Sequence, residues 1–61
     1  MVVYCISKGR KLYLRRLVGQ LPLWHPDPAV ALQLDTERAQ QVVHKLRQSP
    51  ALSGGNEIGA E

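Results

Sequence analysis

Leu23 to Leu46 reads LWHPDPAVALQLDTERAQQVVHKL, and the order of signals inside it decides the fold. Ala39, Val42, Val43 and Leu46 recur at i, i+3, i+4 and i+7, which is one face of an α-helix. Asp35 is a good N-cap for that helix, with Thr36 as the competing cap one residue later. Leu34 and Ala39 stand at the two positions of a hydrophobic staple. Glu37 lies near the positive end of the helix dipole and Lys45 and Arg47 near its negative end, and Pro50 stops it. Immediately upstream, Ala31 to Leu34 predicts a short strand with Leu32 and Leu34 turned inward.

The N-terminal third predicts a β-hairpin. Val2 to Ser7 and Lys11 to Leu17 are rich in β-branched and aromatic residues and flank Ser7-Lys8-Gly9-Arg10. A two-residue turn at Lys8-Gly9 demands a positive φ at Lys8, which is unfavourable for lysine. A three-residue loop asks that only of Gly9 and is the preferred reading. It places Val2, Tyr4, Ile6, Leu12 and Leu14 on the core face, and Val3, Cys5, Lys11, Tyr13 and Arg15 on the other. Between hairpin and short strand, Gly19, Pro22, Pro26 and Pro28 mark Val18 to Pro28 as a connector. Trp24 is expected to fold back and close one edge of the core, and Pro28 to open a single helical turn. Residues 51–61 hold little apolar content and read as a flexible tail, leaving 1–50 as one small domain.

With 61 residues, the chain buries only about 60% of the surface its unfolded form exposes. Such domains usually gain a disulfide, a metal or a partner subunit. Cys5 is the only cysteine, so no disulfide forms within the chain. A lone thiol reads as an intracellular, cytoplasmic protein. The charge order at the N-terminus is wrong for a signal peptide, no run approaches the roughly 20 apolar residues of a membrane span, and the chain reads as a complete small reading frame. The net charge of +3 is unevenly spread: Lys8, Arg10, Lys11, Arg15 and Arg16 all precede the first acid, Asp27.

The hairpin, the Trp-bearing loop, the short strand and the capped helix resemble the very small ββ(β)α domains of phage, prophage and bacterial orphan reading frames. Tyr4, Tyr13, Trp24, Ala31, Asp35 and Ala39 carry the resemblance, which spans roughly residues 2 to 48. It implies an α+β fold: an antiparallel hairpin and short third strand with one C-terminal amphipathic helix on the sheet. It implies roles such as host takeover or inhibition of host defence, and no catalytic residues. The chain lacks the acidity of DNA-mimic inhibitors.

The candidate binding residues are Lys8, Arg10, Lys11, Tyr13, Arg15, Arg16 and Trp24. Cations beside an exposed tyrosine suit phosphates and stacked bases, and equally suit a protein contact or a solvated edge. One helix covers one side of a sheet, so Val3, Cys5 and Tyr13 are expected on an uncovered face that invites self-association there or at a hairpin edge. Trp24 to Pro28 reads either as a recognition loop or, with Trp24 in the core, as packing. His25 and Asp27 with His44 or Cys5 lack zinc-site spacing, so no metal or other cofactor is expected. His44 adjoins the apolar stripe and reads as a half-buried packing residue. No nucleophile elbow, phosphate loop or paired carboxylates occur, and Ser7, Thr36 and Ser49 suit turns and helix ends, so no enzymatic activity or small-molecule substrate is expected. The expected function is a small non-enzymatic protein-binding module, of phage or mobile-element origin, acting on a host macromolecule. The alternatives are a weak nucleic-acid binder using the basic hairpin and a structural homo-oligomer.

Overall fold

The computed structural model describes residues 1–61 as a four-stranded antiparallel sheet with one main helix across it. The strands are β1 (Val3–Ser7), β2 (Arg10–Val18), β3 (Leu21–His25) and β4 (Glu57–Ala60), in the spatial order β3-β2-β1-β4. Helix α1 spans Thr36–Gln48 and a single-turn helix α2 spans Pro50–Ser53.

Helix α1 forms as its sequence demands. The Asp35 carboxylate accepts from the Arg38 N–H at 2.7 Å, so Asp35 rather than Thr36 is the cap. Ala39, Val42, Val43 and Leu46 are its buried residues, and Leu34 packs against the same core. His44 is exposed, because it lies off that stripe.

The first hairpin departs from expectation. Ser7 pairs with Arg10, so the turn is the two-residue Lys8-Gly9, with φ of 51° and 77°. Positive φ at both central residues is the type I′ requirement, and it matches the right-handed twist of the flanking strands. The shift by one residue turns β1 over. Val3 (0% exposed) and Cys5 (1%) are in the core beside Leu12 and Leu14, while Tyr4 and Ile6 face outward. Packing explains the choice. Beneath the helix, small Val3 and Cys5 allow close approach, whereas a buried Tyr4 hydroxyl would need a hydrogen-bond partner there.

The third strand is Leu21–His25, not Ala31–Leu34. Val18-Gly19-Gln20-Leu21 closes a second two-residue hairpin, with φ of 63° at Gly19. Pro22 is tolerated because β3 is an edge strand and the missing N–H faces outward. Residues 31–34 run extended without joining the sheet: the Leu32 N–H donates to the Leu14 carbonyl and the Leu34 N–H to the Met1 carbonyl, both at 2.8 Å. Just after Leu14, a bulge at Arg15 interrupts the β2–β3 register. The bulge keeps Leu14 and Leu17 on the helix side while leaving Arg15 and Arg16 exposed.

Residues 51–61 are not a tail. After α2, Gly54 and Gly55 take positive φ and return the chain to pair β4 with β1, Cys5 opposite Ile58. Ile58 is 2% exposed and completes the core. Val2 and Glu61 exchange both backbone bonds, so Ile58 turns its carbonyl to the free edge. Arg47 grips that carbonyl with Nε at 3.0 Å and Nη2 at 2.7 Å. One edge is thus blunted by Pro22 and the other by Arg47.

Replacing Lys8 with Asn, which adopts the left-handed conformation more readily, is expected to stabilise the fold by about 0.5–1 kcal/mol. The measurement is the urea midpoint; an unchanged or lowered midpoint would count against the two-residue turn.

Candidate binding face

The helix-side residues Val3, Cys5, Leu14 and Ile58 are sealed beneath α1. The alternate residues of the same strands form a second face that nothing in the chain covers. Tyr4, Ile6, Lys11 and Tyr13 occupy its centre, and Tyr4 sits directly opposite Tyr13. Toward the tip of the β2–β3 hairpin, Val18, Leu21 and Leu23 are 49%, 61% and 44% exposed. Arg15 and Arg16 lie among them, both free of ion pairs. Glu57 and Glu61 stand on the β4 side.

The centre is locally organised. The Tyr4 ring lies over Gly59, its cross-strand partner: a methyl group there would fall 2.5 Å from the Tyr4 hydroxyl oxygen and 2.6 Å from Cζ. Such an aromatic cover compensates the weakness of a strand glycine. Lys11 Nζ sits 4.6 Å from the Tyr4 ring centre and 5.5 Å from that of Tyr13. The same ammonium meets the Glu61 carboxylate at 2.6 Å. That hydrogen bond raises the Lys11 pKa above its ordinary value. Both partners of this pair are well exposed, so it orders the surface more than it stabilises the fold.

The expected binding residues do not all share this face. Lys11, Tyr13, Arg15 and Arg16 do. Lys8 is at the turn, and Arg10, opposite Ser7, alternates to the helix side. Trp24 pairs with Leu14 and packs against the core, away from the open face. Val3 and Cys5 leave the open face with the change of register, and Tyr4 and Ile6 take their place. Leu21 and Leu23 were hidden by the reading of 18–28 as a connector, although Gly19-Gln20 between Val18 and Leu21 is a two-residue hairpin signal.

Other features are less organised. A groove of about 380 Å³ runs between α1 and the second hairpin, floored by Leu17, Val42, Leu46 and Leu52 and rimmed by Arg38 and Lys45. No three of the His, Cys, Asp and Glu side chains gather where a metal ion would sit. The Asp27 N–H donates to His25 Nδ1 at 3.0 Å, which ties the end of β3 to the following turn. No helix is long and apolar enough to cross a membrane. Burial pushes the Cys5 thiol pKa up, which disfavours the reactive thiolate.

Compared with protein-family models, with curated proteins and with solved structures, the chain finds no match. Fold and surface define a small α+β domain with a sheet covered on one side.

Two outcomes are expected. Gly59→Ala lowers stability by about 1–3 kcal/mol, and the loss shrinks in a Tyr4→Ala background; equal losses in the two backgrounds would contradict the ring-over-glycine contact. Cys5 in the native protein resists alkylation at pH 8 and reacts at the rate of unfolding; rapid labelling without unfolding would place it at the surface.

Proposed function

We propose that the chain is a small non-enzymatic binding module that docks on a protein through the open face of its sheet. The supporting observation is the combination on one side of paired tyrosines, exposed Leu21 and Leu23, and unpaired Arg15 and Arg16. Tyrosine and arginine dominate binding hot spots, and contiguous apolar exposure marks interaction surfaces. The resemblance to small phage and prophage domains supports an origin in a mobile element and action on a macromolecule inside the host cell.

Nucleic acid is the weaker reading of the same face. Lys11 is already held by Glu61, and Glu57 and Glu61 bring negative charge where a phosphate backbone would lie.

The test is site-specific photo-crosslinking in the expressing cell, with the reactive side chain at Leu23 and, as control, at Glu37 on α1. Discrete protein adducts from position 23, absent from position 37, are the expected result. No adducts, or the same adducts from both positions, would overturn the docking face. In parallel, labelled RNA and duplex DNA are titrated with the protein at low and near-physiological salt. Binding that falls steeply with salt and disappears in Arg15→Glu/Arg16→Glu would replace the protein reading with the nucleic-acid one.

A further inference from the structure

We infer that the partner on the open face is a second copy of this chain, related by a two-fold axis that runs along the strands between β1 and β2. This rests on the open face being a docking surface and adds its occupant and orientation.

The argument comes from where the register puts the charges. Glu57 pairs with Ile6, and Ile6 with Lys11, so Glu57 and Lys11 lie at the same level along the strands. Glu61 pairs with Val2. Continuing the Tyr4–Tyr13 register by two residues puts Val2 level with Arg15, so Glu61 and Arg15 also share a level. The acids are on β4 and the cations on β2, separated by β1.

A two-fold axis along the strands, passing between β1 and β2, lays β2 of one copy over β1 of the other. The cations of one copy then stand one strand spacing, about 4.8 Å, to the side of the acids of the other, within reach of lysine and arginine side chains. Lys11 faces Glu57 of the second copy, Arg15 faces its Glu61, and Tyr13 lies over its Tyr4. The alternative two-fold axis, across the strands, lays β2 on β2 and β4 on β4. It stacks cation on cation and acid on acid, so charge selects the first orientation. Within one copy Glu57, Arg15 and Arg16 have no ion-pair partner, and Lys11 reaches past Tyr4 to Glu61 instead.

The remaining geometry agrees. Edge-to-edge pairing is opposed at both sides of the sheet, by Pro22 and by the Arg47 grip on Ile58. Face-to-face stacking of twisted sheets aligned within about 30° is a standard arrangement. The molecule measures 24 × 22 × 20 Å with 4109 Å² of accessible surface. The largest face of such a body, 24 × 22 Å, is about 530 Å² in projection, which puts the interface at the small end of specific contacts and suits a reversible, concentration-dependent dimer.

Sedimentation equilibrium over a range of concentrations tests this with three samples: the wild type, Lys11→Glu/Arg15→Glu and Glu57→Lys/Glu61→Lys. Near-ultraviolet dichroism of Trp24 in each sample verifies that the core is intact. The wild type is expected to reach twice the 6.8 kDa monomer mass. Each variant alone should dissociate at least tenfold more readily, since it sets like charges against each other. An equimolar mixture should regain the dimer, because each variant then meets its complement. A wild type that is monomeric at every concentration overturns the second copy as occupant, and the Leu23 crosslinks then decide whether the face binds another protein. Variants that dimerise as well as the wild type place the contact elsewhere and remove the open-face reading too. A mixture that stays monomeric overturns the proposed orientation.

Discussion

The turn at Lys8-Gly9 is the constraint on which the rest of the structure depends. Two consecutive residues with positive φ set Ser7 against Arg10 and hence every later pair in the hairpin. That single register places Val3 and Cys5 under α1, leaves Tyr4 beside Gly59, and puts Ile58 opposite Cys5. Had the loop held three residues, both tyrosines could not have lain on the outer face as direct partners. A local left-handed conformation at lysine, worth about 1–2 kcal/mol against the fold, is outweighed by the burial of several apolar side chains at about 1.5–3 kcal/mol each.

What the residues disclose in advance follows from how local each signal is. Asp35, the Leu34–Ala39 staple and the stripe Ala39, Val42, Val43 and Leu46 act within one helix, and their reading agrees with the structure residue for residue. The α+β class and the packing of one helix on an antiparallel sheet were likewise legible. Two strands were not. Pro22, Pro26 and Pro28 outweighed Gly19-Gln20 as a signal, yet an edge strand tolerates proline that a central strand does not. In β4, Ile58 is the single large apolar residue among Glu57, Gly59 and Ala60. Its strand character comes from pairing with β1 at the other end of the chain, which no short window contains.

The same distinction governs the binding face. Lys11, Tyr13, Arg15 and Arg16 were legible as a cluster because they are neighbours on one strand. Tyr4 and Ile6 required the register, Leu21 and Leu23 required the second hairpin, and Glu57 and Glu61 required β4. The Arg15 bulge had no signal except the spacing of Leu14 and Leu17, three residues apart in a strand where inward residues should be two apart. The cationic hairpin of the sequence is thereby a face of mixed charge in the fold.

The pairing of β1 with β4 has a kinetic side. Val2 bonds to Glu61, so nearly the whole chain lies within one closed loop. The β1–β2 and β2–β3 hairpins and α1 each close over short sequence separations, and such pieces form in microseconds. Adding β4 requires the chain to bring its two extremes together, which grows only as the logarithm of loop length but is repaid late. Until then Val3 and Cys5 have one neighbouring strand instead of two, and the edge of β1 is bare. The Arg47 fork on the Ile58 carbonyl latches the end of the helix to the strand that closes this longest loop, and a form of the chain with that strand undocked would be the one most prone to pair with its neighbours.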